Sequence, residues 1–142
     1  MSKNANKNIY QYAVSTKRKE VFFIPITSLM ASRFKITKED ENEIIKGIRL
    51  DSFLKSEKIS QIELLKIDTE GSEYDVLQTG KNTVKKSKFI LLEASVDRQS
   101  SGDILDCIDF IKHTVPNLRL FKIGRIFQEA DKIVAVDLLF KQ

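Results

Sequence analysis

The stretch Leu64–Leu77 reads LLKIDTEGSEYDVL and holds three carboxylates at close spacing, Asp68, Glu70 and Glu73. The apolar run that precedes them predicts a buried strand over Ile62–Ile67, which delivers Asp68 at its carboxyl end. Ligands of open α/β sheets bind outside the carboxyl ends of the strands. Gly71 permits a tight turn into a following helix. Glu70 and Glu73 fall near the amino end of that helix, where its dipole favours negative charge. Carboxylates so placed can orient an acceptor group or take a proton from it. Asp68 is the leading candidate, because a carboxylate ending a buried strand needs solvent or a partner. Glu70 divides between turn stabilisation and substrate contact, and Glu73 reads as a first-turn helix charge. Lys66 is unusual inside an apolar strand. It is expected in a buried ion pair with an acid such as Glu93, not in catalysis.

Other reactive side chains are few. The chain has one Cys and one His, which excludes an internal disulfide and the usual structural zinc ligand sets. Cys107 lies beside the apolar stripe of a helix and reads as core. His113 ends that helix, where a cation suits the dipole. Lys81, Lys85, Lys86 and Lys88 form a basic cluster that reads as a solvated face. No aromatic residues interleave it for base stacking. Tyr10, Tyr12 and Tyr74 read as packing residues. No phosphate-binding loop, nucleophile elbow or DNA-binding signature is present.

The elements that must position these groups follow from pattern. Residues 1–8 read as a tail. Ile9–Val14 and Val21–Ile24 read as strands, with Lys17, Arg18 and Lys19 in an exposed turn. Thr27–Asn42 reads as a surface loop. Ile44–Leu50 is a third strand, and Asp51 is placed to cap a short helix through Glu57. After Ile62–Ile67, the spacing predicts a helix over Ser72–Thr79, closed by Gly80 as its C′ residue. Phe89–Leu92 is a buried strand. Ser101 or Asp103 caps a helix with Ile104, Leu105, Ile108 and Ile111 on one stripe. Leu118–Ile123 and Ile133–Phe140 are strands joined through a polar turn, Gly124–Asp131. Strands alternating with helices imply βαβ units and a parallel sheet, hence an α/β fold with an antiparallel pair at its C-terminal end.

Composition is consistent with one domain of 142 residues. Hydrophobic residues make up 42%, enough for a core. Against 20 Asp and Glu, 24 Lys and Arg leave a net charge of +4. That excess is small and spread out, so nucleic acid is not an expected partner. No apolar run is long enough to cross a membrane, and the polar N-terminus is not a signal peptide. The expected location is the cytoplasm.

LLKIDTEGSEYDVL, followed by FILLEAS, resembles the FkbM family of S-adenosylmethionine-dependent methyltransferases. The match lies at Leu65, Lys66, Ile67, Asp68, Glu70, Gly71, Glu73, Val76, Leu77 and Glu93. LDSFL at Leu50–Leu54 resembles the segment before that strand. YAVS at Tyr12–Ser15 resembles the strand end that flanks the adenine. The likeness runs from about Ile9 onward. The family's Asp-Val-Gly-Ala-Asn turn and the strands around it have no counterpart, and Gly47 is the only glycine before Gly71. The resemblance therefore implies the C-terminal part of such a domain over residues 9–142. It implies a partial Rossmann-like, three-layer fold with a mostly parallel sheet. It also implies methyl transfer to a hydroxyl of a small molecule or saccharide, with S-adenosylmethionine as cofactor and no metal. Asp68 and Glu70 would be catalytic, Glu93 would bind substrate, and Ala13 and Val14 would touch the cofactor. Lacking a central neighbour, Ile62–Ile67 becomes an exposed edge unless Ile9–Val14 or another chain covers it. That edge gives a second reading, a non-catalytic α/β module that binds a partner chain, a second copy or a complementing N-terminal chain.

Overall fold

The computed structural model describes residues 8–16, 20–23, 43–96 and 102–142. The expected loop Thr27–Asn42, the basic turn at residues 17–19, Ile24, Ser101 and most of the expected tail lie outside them. Three short strands form one sheet in the order β1-β3-β2: β1 (Ala13–Val14), β2 (Glu20–Phe23) and β3 (Glu43–Ile48). The strand expected over Ile9–Val14 is shorter because only Ala13 and Val14 find partners, Gly47 and Ile48 of β3. Tyr10 and Tyr12 instead pack edge-on against the Phe53 ring, at centroid distances of 4.8 and 5.9 Å.

The second sheet carries the candidate site. Its order is β4-β5-β7-β6, from β4 (Ile62–Ile67), β5 (Ser87–Ser95), β6 (Arg119–Glu129) and β7 (Lys132–Lys141). Among the described residues of this sheet, β4 and β5 run parallel; β7 is antiparallel to both β5 and β6. The sheet is thus mixed, not mostly parallel. The long C-terminal hairpin inserts its second strand beside β5, which a sequence dominated by βαβ spacing does not announce. The expected turn Gly124–Asp131 contracts to Ala130 and Asp131, with Ala130 at φ 55°. Gly124 sits instead in a register shift between Ile123 and Ile126. A Cβ there would stand 2.9 Å from Cβ of Asp137, so only glycine fits the close crossing.

Four helices are described: α1 (Leu50–Ser56), α2 (Glu73–Thr79), α3 (Lys81–Lys86) and α4 (Ile104–Thr114). Asp103 caps α4, accepting from the backbone N–H of Leu105 and Asp106, while Asp106 accepts from the N–H of Asp103. Cys107 and Ile111 are buried on its inner face; Leu105, expected on that stripe, is 70% exposed. Gly80 separates α2 from α3 at φ −113° and is not a left-handed C′ glycine. Its role is space, since a Cβ would meet Cδ2 of Leu50 at 2.7 Å. Asp51 lies inside α1 and does not cap it. Its carboxylate crosses to α3, accepting from the backbone N–H and side chains of Asn82 and Thr83.

The core lies between α2, α3, α4 and one face of the second sheet. Ile67, Ile90, Leu92, Ala94, Val136, Leu138 and Phe140 point into it, against Val76, Leu77, Val84, Cys107 and Ile111. Among the described residues the helices cover that face alone, giving two layers where three were expected. β4 is an edge strand whose described neighbour is β5, and β1 pairs with β3 instead of covering it.

Candidate functional site

Asp68 follows the last residue of β4, at the carboxyl end of the parallel pair. The backbone then turns through Glu70 at φ 52° and Gly71 at φ 106° before α2 begins. Both lie in the left-handed region, where glycine is unstrained and Glu is not. Glu73 holds this turn. It is 3% exposed and accepts from the Thr69 backbone N–H and hydroxyl, both at 3.1 Å. It also accepts from the Gly71 N–H at 2.9 and 3.1 Å. Glu73 is therefore the anchor of the turn and does not join the other acids at the strand ends.

The third member of the cluster is Glu93, on β5. One carboxylate oxygen from each of Asp68, Glu70 and Glu93 lies within 4.8 Å of the others. Such a trio can share a cation or surround a positively charged group. Asp137 faces Glu93 across the β5–β7 ladder and adds a fourth acid. Burial, together with the charges of Asp68, Glu70 and Asp137, holds the Glu93 carboxyl above the usual carboxylate range. Lys66 offsets part of this negative field, but not through the buried pair expected with Glu93. Its ammonium lies 2.6 Å from Oδ2 of Asp68, and both side chains are solvent-accessible. The hydrogen bond to Asp68, then its charge, raises the Lys66 pKa.

The other candidates separate from this cluster. Ala13 is buried at 6%, and Val14 packs against the core. The backbone N–H of Ser15 continues the ladder to Ile48 at 2.9 Å. Cys107 is buried as expected, and burial, with Glu73, Asp106 and Asp103 nearby, pushes its thiol up to about 12. His113 is exposed on the last turn of α4, beside Asp109 at 3.1 Å. Tyr74 packs edge-on against Phe110. The lysines of α3 are exposed, and Lys88 pairs with Glu63 at 2.7 Å. Lys85 and Lys86 also border a cleft of about 380 Å³ with Lys55, Asn82 and Asp51.

Asp137 is an acid beside this cluster that sequence reasoning did not place, and Asp51, expected to cap α1, bonds to α3 instead. Asp137 carried a signal, a carboxylate interrupting the apolar run VAVDLLF. Asp51 carried none, because its partners lie more than thirty positions away.

A family model described as the methyltransferase FkbM domain matches residues 3–132. No curated protein and no solved structure matches the chain significantly. Among the described residues, no helix is long and apolar enough to cross a membrane.

Proposed function

The chain belongs to the FkbM methyltransferase domain family, and on that premise we propose that it transfers a methyl group from S-adenosylmethionine to a hydroxyl of a small-molecule or saccharide acceptor. The observation that carries this reading is the gathering of Asp68, Glu70 and Glu93 at the carboxyl ends of the parallel strands. S-adenosylmethionine supplies an electrophilic methyl group on a positively charged sulfur. A cluster of carboxylates suits a cationic group of this kind, because their combined field favours positive charge at the strand ends.

Each residue then has a role at a stated atom. Asp68 is accessible, lies beside Lys66 and presents Oδ oxygens at the strand end. It orients the acceptor hydroxyl and takes its proton as the oxygen attacks. Glu70 is held beside it by the strained turn that Glu73 anchors, and hydrogen-bonds a further hydroxyl of the acceptor. Glu93, whose carboxyl is held above the usual range, accepts or donates a hydrogen bond on the same edge. Ala13 and Val14 border the adenine. Most of the rate then comes from alignment of acceptor and methyl group, with proton removal adding to it.

Calorimetric titration of the purified chain with S-adenosylmethionine tests the cofactor directly. Micromolar binding is the expected result. A flat titration up to millimolar cofactor would sink the reading for this chain.

A further inference from the structure

Asp51 ties α1 to α3. From the first turn of α1 it accepts the backbone N–H groups of Asn82 and Thr83, at 2.9 and 2.8 Å. The same two helices border the cleft of about 380 Å³, which is the size of a small-molecule pocket. Leu54 supplies apolar wall. Lys55 comes from the last turn of α1, and Lys85 and Lys86 from the last turn of α3. The lining consists of described residues throughout.

The charges of this lining do not cancel. Among the described residues none of the three lysines has an ion-pair partner, whereas Lys66 and Lys88 pair with Asp68 and Glu63. The one acid in the cleft is Asp51, and each of its oxygens already accepts two hydrogen bonds. A helix C-terminus favours a nearby cation, which accounts for a lysine in each last turn. It does not account for lysines of two helices lining one cleft without an acid to pair them. The excess of two positive charges matches a phosphate group, which as a monoester carries about −1.5 to −2 near pH 7. Lysine ammonium groups serve phosphate as point charges, while their stems lie along apolar surface. Asn82 adds a donor, since its amide gives one N–H to Asp51 at 3.0 Å and has a second.

We propose that this cleft binds a phosphate dianion, free or carried on a small molecule, with Lys55, Lys85 and Lys86 around the phosphate and Leu54 against the carrier. Lys86 directly precedes β5, and Glu93 lies six residues beyond the first residue of that strand, about 20 Å along it. The cleft therefore sits toward the amino end of β5, away from Asp68 and Glu93, and is independent of the methyl-transfer reading.

Amide NMR of the full chain reads the site without an assay. Inorganic phosphate, glucose phosphate and adenosine monophosphate are titrated separately at low ionic strength. Saturable shifts centred on Lys55, Asn82, Lys85 and Lys86 are expected, with a dissociation constant of roughly 0.1–1 mM that rises with salt. Equal binding of all three supports the proposal and assigns the free ion. An ester that binds at least about tenfold tighter than inorganic phosphate supports it and assigns a carried group. No saturable shift up to about 20 mM of any of them overturns it, as do shifts centred outside α1 and α3. Binding of a single-stranded oligonucleotide with none of the small phosphates also overturns it and points to a polyanion surface.

Charge removal then separates the cleft from the general field of the chain. Lys55→Gln, Lys85→Gln and Lys86→Gln each remove one charge from the cleft, and Lys112→Gln removes one from α4, outside it. All four lysines are exposed, and circular dichroism checks that the variants fold. Each cleft variant should weaken binding about two- to fivefold, and the three together at least about tenfold. Lys112→Gln should leave it unchanged. Equal weakening by Lys112→Gln would mean that net charge attracts the anion, and overturns the proposal.

Discussion

Both carboxylate oxygens of Glu73 accept the backbone N–H of Gly71, at 2.9 and 3.1 Å, two residues back along the chain. The contact fixes the turn that carries Asp68 and Glu70 away from β4. It also divides the acidic motif by task. Glu73 is buried and spends its lone pairs on the turn, whereas Asp68 and Glu70 face outward at the strand ends. The α2 amino end thus needs Glu73 for shape, while Asp68 pairs with Lys66 and Glu70 lies in the turn between them.

Glu73→Gln should therefore lower stability by about 1–3 kcal/mol, since the amide turns donor toward donor at Thr69 or Gly71. Chemical denaturation at neutral pH reads the loss. A change within about 0.5 kcal/mol, the range of an ordinary surface substitution, would show that the turn holds itself.

Asp68→Asn should do the reverse. The side chain is accessible and its partner Lys66 is exposed, so the stability change should stay within about 1 kcal/mol. Methyl transfer, measured with an acceptor that the unaltered chain accepts, should fall by roughly 10²–10⁴ with loss of the proton acceptor. Equal activity in both forms would remove Asp68 from the catalytic role.

Asp51 gives the fold an acid sensitivity. Burial alone would raise its pKa, but hydrogen bonds from the backbone and side chains of Asn82 and Thr83 outweigh it and hold the carboxyl below its ordinary value. A depressed folded-state pKa means that the contribution is complete above the ordinary Asp value. It is lost as pH falls through the folded-state value. Asp51→Ala should cost about 1–2 kcal/mol near pH 7, as for a lost helix cap. The gap between the two proteins should narrow toward pH 3. Urea titrations at the two pH values measure it, and a gap independent of pH would show that packing, not charge, holds α1 to α3.

Cys107 should be silent toward thiol reagents in the native chain. It is 2% exposed, and burial first, then nearby acids, pushes its pKa up to about 12. Little thiolate exists at pH 8. Ellman's reagent should give almost no signal until guanidinium is added, then one equivalent. Rapid labelling of the native chain would show that α4 opens readily.

The elements that read most clearly are those whose cause is local. Ile62–Ile67 was predicted with both ends correct because its apolar run is bounded by polar residues. Asp103 was a visible cap because its partners are two and three residues on. α3 was not visible. KNTVKK offers little apolar pattern, and its amino end is satisfied by Asp51 from another helix. Lys66 did have a signal for its partner, since residues i and i+2 of a strand share a face and Asp68 is the acid at that spacing. The acidic cluster was half readable. Asp68 and Glu70 are neighbours in sequence, but Glu93 joins them through the β4–β5 register. Glu73 left them because a buried carboxylate follows the densest set of donors, not the helix dipole.

The position of β7 has a consequence for synthesis. It is the last strand of the sheet to be made, yet it lies between β5 and β6 and hydrogen-bonds to both. Until Lys132–Lys141 has cleared the ribosome, β5 and β6 have no neighbour to join them, and the inner row Val136, Leu138 and Phe140 is missing from the core. The nascent chain must therefore wait with β4, β5 and α4 incompletely packed. A ribosome that stalls over the codons for β7 releases a product without the middle of its sheet, which exposes apolar surface to chaperones and proteases.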